Sequence, residues 1–269
     1  MKKTILLTGA TDGIGLQTAR MLAADGHHLL LHGRNPDKLA KVVADLAEVP
    51  GAEAAESYVA DLSNLEAVEA MAKAVIDKHQ QLDVLINNAG VLKAPSTTTA
   101  AGLDLRFVVN TLAPYLLTRR LLGLMNGRAR VVNLSSAAQA PVSLEAMAGR
   151  GSLTDMEAYA QSKLAITMWS RQLADELGPE GPVVVAVNPA SLLGTKMVKS
   201  GFGVDGNDIS IGADILVRAS LSDEFSDVSG KYYDNDAKRF GPPHPDALDA
   251  GKRAEVVRVI EGLLGGAVA

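Results

Sequence analysis

The chain has 269 residues, 47% hydrophobic and 21% charged with few aromatics, the composition of a globular protein rather than a disordered or fibrous one. A formal charge of −5 and a pI near 5.6 argue against a nucleic-acid surface, which needs clustered Lys and Arg, and favour small-molecule chemistry. The lack of cysteine removes disulfides, thiolate nucleophiles and cysteine-based metal sites, and fits a reducing compartment.

Met1-Lys2-Lys3 and Ile5-Leu6-Leu7 imitate a signal peptide only briefly, because Gly9 and Asp12 break the apolar run. No stretch reaches the roughly 18 uncharged apolar residues a membrane span needs, so a cytoplasmic location is the default expectation. Nothing marks a linker, and one α/β domain over residues 1–269 is expected.

Residues 3–8 form a short apolar run and residues 14–24 carry apolar side chains at helical spacing. Between them lies Thr8-Gly9-Ala10-Thr11-Asp12-Gly13-Ile14-Gly15. Gly9 permits a tight turn, Gly13 lets backbone amides approach a pyrophosphate, and Gly15 allows the helix to pack closely on the strand. An ordinary strand-to-helix turn is the bland alternative, but the position at the start of a βαβ unit favours nucleotide binding.

A second strand over residues 27–32 runs into Gly33-Arg34-Asn35-Pro36. An acid at this strand end suits the ribose hydroxyl of NAD, whereas an arginine suits a 2′-phosphate, so Arg34 favours NADP; Asp12 and Asp37 oppose it. A helix over 36–48 and a strand over 57–60 lead to Asp61-Leu62, where the acid could bond an adenine amino group or belong to the N-cap region of the next helix, 65–78. A fourth strand, 83–86, ends in Asn87-Asn88-Ala89-Gly90, where open α/β sheets bind ligands; one or both amides are also expected to tie strands together.

A polar loop over 94–101 precedes a long helix, 103–124, that carries Asn110 and should be bent at Pro114. A buried Asn there is either a core amide bonded to kinked backbone or part of a proton relay. A fifth strand, 131–134, ends in Ser135-Ser136, of which one hydroxyl should face the crevice and the other the packing. Residues 137–158 read as an irregular, functional loop.

The next helix, 156–177, holds Tyr159-Ala160-Gln161-Ser162-Lys163. A four-residue spacing puts the phenol and the ammonium on one helical face. A free phenol titrates near ~10, and a neighbouring cation is expected to make it acidic enough to exchange a proton with an alcohol oxygen. Such a pair alone is commonly just a solvated helix face.

A sixth strand, 183–187, runs into Asn188-Pro189-Ala190-Ser191-Leu192-Leu193-Gly194-Thr195, and residues 196–208 read as a mobile flap. A helix over 209–220, a short strand over 231–234, a proline-rich turn over 240–245 and a helix over 254–264 complete the alternation. Histidines 27, 28, 32, 79 and 244 show no ligand spacing, so no metal is expected.

The glycine loop, Asp61, Asn87-Asn88-Ala89-Gly90, Asn110, Ser136, Tyr159-x-x-x-Lys163 and Asn188-Pro189, in this order and spacing, closely resemble the short-chain dehydrogenase/reductase family over nearly the whole chain. The resemblance implies a doubly wound Rossmann fold with a seven-stranded parallel sheet between helical layers. It implies a catalytic set of Asn110, Ser136, Tyr159 and Lys163. It further implies NADP, or NAD, held by Gly9, Thr11, Asp12, Gly13, Ile14, Gly15, Arg34, Asp61, Leu62, Asn88, Ala89, Gly90, Tyr159, Lys163, Pro189, Leu192 and Thr195. Ala190 departs from the family, which commonly has Pro-Gly there, and Thr195 lies one residue further from Pro189 than usual. The expected activity is interconversion of a carbonyl and a secondary or primary alcohol, with a non-catalytic NAD(P)-binding redox sensor as the alternative. Substrate loops are expected at 91–101, 137–158 and 196–208, with Met147, Leu153, Met156, Leu193 and Met197 giving a moderately hydrophobic pocket. Homodimers or homotetramers pairing through the two long helices are expected from the family.

Overall fold

In the computed structural model, which describes residues 1–265, the apolar runs become a single sheet because their side chains alternate between two buried faces. Strands β1 (Thr4–Leu7), β2 (His28–Gly33), β3 (Glu56–Val59) and β4 (Val84–Asn87) alternate with helices α1 (Gly13–Ala24), α2 (Pro36–Ala47) and α3 (Leu65–Lys78). Leu6, Leu30, Leu85, Val131 and Val184 pack on one face, while Leu7, Leu31, Ile86, Val132 and Val185 pack on the other.

Side-chain caps start the helices where expected. Asp12 accepts from the Gly13 amide, Asn35 from Lys38 ahead of α2, and Asn64 from Glu66 and Ala67 ahead of α3. Asn64, not Asp61, is therefore the N-cap of α3.

The expected single helix over 103–124 is broken into α4 (Leu105–Phe107), a π-turn (Val108–Leu112), α5 (Ala113–Leu121) and a 3₁₀ turn (Leu122–Leu124). Pro114 has no N–H to give the carbonyl of Asn110 four residues earlier, so the ladder widens to i→i+5 at the asparagine. Next come β5 (Arg130–Leu134), α6 (Leu144–Met147) and α7 (Asp155–Leu177). Helix α7 opens on a capping box between Thr154 and Glu157 and stops at Gly178, whose φ is 67°.

The remaining elements are β6 (Val183–Asn188), α8 (Lys196–Phe202), α9 (Ser210–Leu221), β7 (Tyr232–Asp234), β8 (Arg239–Gly241) and α10 (Ala250–Leu263). Three expectations are corrected here. The flap at 196–208 contains a helix, started by the Thr195 hydroxyl and ended at Gly203. Part of the proline-rich turn at 240–245 is a strand. The C-terminal helix begins earlier than residue 254, because Asp249 caps it.

Strand order is β3-β2-β1-β4-β5-β6-β7-β8; the first seven are parallel, as expected, and β8 adds antiparallel to β7. The order reverses between β1 and β4, opening a crevice at their carboxyl ends.

Helix α10 lies over α5 and α7. Tyr115 donates to Glu261 at 2.8 Å, Arg253 pairs with Asp175 at 2.7 Å, and Val256 and Ile260 join the cluster containing Trp169. No helix among the described residues is long and apolar enough to cross a membrane.

Candidate active site

The crevice at the sheet's switch point has a volume of about 1220 Å³, more than the ~300–1,000 Å³ of ordinary small-molecule pockets. Its floor is the glycine loop. Gly9 and Gly13 adopt φ of 68° and 57°, and a Cβ on Gly15 would stand 2.1 Å from the Gly9 carbonyl oxygen. The close helix-on-strand packing expected of Gly15 is thus observed.

Thr8 and Asn88 brace this loop from below. The Thr8 hydroxyl accepts from the amides of Asn88 and Ala89, and the Asn88 side chain donates to the carbonyls of Thr8 and Gly9. Asn87 does the strand tying expected of it, donating to Asn133 at 2.8 Å and Thr118 at 3.1 Å. His32, expected as a strand-end histidine, is buried under the loop: its Nδ1 accepts from the Gly9 amide and its Nε2 faces the Ala60 carbonyl at 3.0 Å. Burial holds its pKa below the usual histidine value, consistent with a neutral ring in that role.

Of the cofactor residues expected from sequence, Gly9 to Gly15 (apart from Ala10), Arg34, Asp61, Leu62 and Asn88 to Gly90 all line this crevice, as do Pro189 and Thr195. Leu192 does not; it is 44% exposed, with φ 51°. Arg34 is exposed at the rim and makes no ion pair among the described residues. Asp12, which seemed set to oppose a phosphate there, is paired with Lys196 of α8. That ion pair ties the flap helix to the glycine loop, and Met197 beside it reaches toward Gly90.

Tyr159 and Lys163 stand one turn apart in the crevice wall. Lys163 is 4% exposed and donates to the Leu134 carbonyl at 2.7 Å; burial brings its pKa down to about 8. The acidifying effect expected of Lys163 on the phenol is not what dominates. Burial pushes the Tyr159 pKa up, and a hydrogen bond with Ser136 is what pulls it back. The ammonium instead sits 5.7 Å from the ring centroid and is committed to the Leu134 backbone.

The two hydroxyls face different ways, although Ser135 and not Ser136 is the residue that lines the crevice. Ser135 bonds into the packing, to the Lys163 carbonyl and to Thr167, while the Ser136 hydroxyl lies beside Tyr159. Ser136 is held in turn through its carbonyl, which accepts from Gln139 at 2.9 Å and Tyr232 at 3.1 Å. Gln139 follows only three residues on, whereas Tyr232 is brought in by chain far from the strand end.

Asn110 does not line the crevice. Its Oδ1 accepts from the Val91 amide at 2.8 Å, and its Nδ2 donates to the Val91 carbonyl and to Ser162. The side chain is therefore a core amide clamping the 91–101 loop. Any relay role falls to its main-chain carbonyl, which Pro114 leaves without an α-helical donor.

The apolar wall differs from expectation. Met197 lines the crevice, but Met147 is fully buried in the core, Leu193 is buried, Leu153 packs on the core and Met156 is 40% exposed. Leu103, Leu105, Val108 and Val109 take their place, together with the 91–101 loop. None of residues 137–158 lines this crevice; part of the loop lines a separate cavity of about 100 Å³.

The loop after β6 is fixed by side chains no motif announces. Asn188 donates to Asp234 and Asp236, and Asp236 also accepts from the Ser191 amide and hydroxyl. Ala190, where the family commonly has glycine, adopts φ 115°. A side chain pays about 1–3 kcal/mol for such backbone, against roughly 0.5–1 kcal/mol of extra chain entropy for glycine. Ala190→Gly should therefore stabilise the protein by about 1 kcal/mol, seen as a rise of roughly 2–4 °C in the midpoint of thermal unfolding.

A doubly wound sheet, a glycine-floored crevice at its switch point and a Tyr–Lys pair in the wall define a dinucleotide-dependent class of α/β protein. The chain belongs to the short chain dehydrogenase family, whose model matches residues 3–202. It is 30% identical to human (Homo sapiens) retinol dehydrogenase 13 over 96% of this chain and 84% of that protein. Among solved structures it is similar to an uncharacterized protein from Mycobacterium paratuberculosis, with 27% identity, a TM-score of 0.79 and coverage of 97% and 92% of the two chains. It also resembles a short chain dehydrogenase from Shigella flexneri complexed with NADP, with 27% identity, a TM-score of 0.68 and coverage of 87% and 97%.

Proposed function

We propose that the protein is an NAD(P)(H)-dependent oxidoreductase that interconverts a carbonyl and a secondary or primary alcohol, with NADP favoured over NAD. The observation that carries this reading is the meeting of Tyr159 and Lys163 in the wall of one crevice whose floor is the glycine loop. The residues fit such a cofactor: Gly9 and Gly13 hold the positive φ the turn needs, Gly15 lets α1 pack against the loop, and the N-terminus of α1 offers amides to a pyrophosphate. The bound nicotinamide supplies or accepts the hydride.

The chain's own groups handle the proton. Tyr159 gives its hydroxyl proton to the carbonyl oxygen in reduction and takes the alcohol proton in oxidation. Ser136 hydrogen-bonds the same oxygen, and Lys163 holds the nicotinamide ribose from its station at the Leu134 carbonyl. The main-chain carbonyl of Asn110 positions a water that links Lys163 to solvent. Burial raises the Tyr159 phenol above its ordinary range, so it holds its proton at neutral pH.

Arg34 supports NADP, because an exposed guanidinium without an ion-pair partner among the described residues suits a 2′-phosphate, and the Shigella relative was solved with NADP. Arg34→Ala should raise KM for NADPH about 10- to 100-fold, the worth of one charge-assisted bond, and leave KM for NADH unchanged. Equal effects on both coenzymes would assign Arg34 to the surface.

The substrate reading is a moderately hydrophobic alcohol or carbonyl, supported by Leu103, Leu105, Val108 and Val109. The test is oxidation of NADPH and NADH with a panel of ketones, aldehydes including retinal, and quinones, alongside coenzyme binding by fluorescence. Turnover on any of these supports the enzyme; tight binding with none would favour the redox sensor. A cytoplasmic location and a homodimer or homotetramer belong to the same reading. Pairing has to use a surface other than the α5–α7 face that α10 covers, and a single 28.1 kDa species in sedimentation would remove it.

A further inference from the structure

At the opposite end of the strands lies a cluster that the proposed chemistry does not use. His28 opens β2, Glu56 opens the edge strand β3, and His79 caps the C-terminus of α3. Their positions show no ligand spacing in sequence, yet parallel pairing and the return of α3 bring them together. His28 Nε2 lies 3.3 Å from Glu56 Oε1, and His79 Nε2 lies 3.2 Å from Glu56 Oε2. One donor atom from each of the three lies within 4.8 Å of the others.

Tetrahedral bonds of about 2.0–2.1 Å place neighbouring donors about 3.3 Å apart, so donor atoms already within 4.8 Å of one another can close on an ion by side-chain rotation. Lys78 Nζ lies 2.9 Å from Glu56 Oε2. The neutral imidazole is the form that binds a metal.

The surroundings are those of a held but reachable site. Side-chain exposures are 23% for His28, 19% for Glu56 and 11% for His79. The Tyr58 hydroxyl stands 3.0 Å from both Glu56 Oε2 and His79 Nε2, so it gives up its bond to that nitrogen when an ion binds there. Lys78 is the one charge that must leave, and its side chain is 61% exposed and flexible. Two imidazoles, one carboxylate and an open fourth position suit Zn²⁺ and related first-row ions, not the oxygen-seeking Mg²⁺ or Ca²⁺.

We propose that His28, Glu56 and His79 bind one Zn²⁺-class divalent ion that pins edge strand β3 to β2 and α3. The site stands about 17 Å along β2 from the crevice, at ~3.3 Å per residue, so its role is structural and does not depend on the proposed reaction.

The test uses the full-length, untagged, chelator-stripped protein. Titration with ZnCl₂ by calorimetry should show one ion bound per chain, and the unfolding midpoint should rise with ZnCl₂ but not with MgCl₂. His79→Asn and Glu56→Gln should each weaken Zn²⁺ binding at least tenfold while circular dichroism stays native. CoCl₂ should give the visible absorption of a tetrahedral site in the wild type and not in His79→Asn. Because His79 also ends α3, Glu56→Gln provides the second, nearly isosteric check. No saturable Zn²⁺ binding, or binding equal in wild type and both variants, overturns the assignment.

Discussion

Tyr159→Phe is expected to lower kcat by roughly 10²–10⁴-fold, the contribution of one positioned acid–base group, with coenzyme affinity unchanged. The phenol, hydrogen-bonded to Ser136, stands in the crevice wall, while the coenzyme's phosphates would rest on the glycine loop some distance away. Steady-state kinetics with NADPH and fluorescence titration of the coenzyme separate the two effects. A variant that retains near-normal turnover would remove Tyr159 from the chemistry.

The pH dependence follows from the same geometry. Lys163 is an ammonium below about 8 and loses its charge above it, because burial opposes the cation. That charge supports negative oxygen during reduction, so kcat/KM for the carbonyl substrate should hold steady below about pH 8 and fall above it. A profile that rises through this range would show that the ammonium plays no such part.

Gly15→Ala is the second large expected effect. Its Cβ would approach a backbone oxygen, that of Gly9, at 2.1 Å, where no side chain can swing away. Either α1 moves off β1 or the loop is displaced; overpacking of this kind costs about 3 kcal/mol. The unfolding midpoint should drop by roughly 6–12 °C and coenzyme affinity should fall with it. Gly262→Ala is the control. Gly262 sits on an exposed turn of α10 with nothing within 4 Å of its added Cβ, so that change should be neutral or stabilise by up to about 1 kcal/mol. Equal behaviour of the two variants would contradict the close packing at Gly15.

How much of the site could be read from sequence depends on how local its causes are. The glycine loop was legible because positive φ and close approach demand glycine at fixed positions. The Tyr159–Lys163 pairing was legible because helical periodicity alone puts them on one face. The π-turn at Asn110 was half legible: Pro114 announced a fault in the helix, but its i→i+5 form depends on the clamp to Val91 and Ser162.

By itself the sequence determined the alternation of strand and helix, the nucleotide loop and the placing of Tyr159, Lys163 and the two serines at a strand end and a helix turn. Those follow from residue types and spacings within a few positions. Only the tertiary structure decided that burial outweighs the neighbouring ammonium at Tyr159, that Asp12 is engaged by Lys196, that Met147 belongs to the core, and that His28, Glu56 and His79 meet. Each of these turns on desolvation or on contacts between residues far apart in the chain. Periodicity carries no information about such distances, because they are set by how the layers close around the sheet.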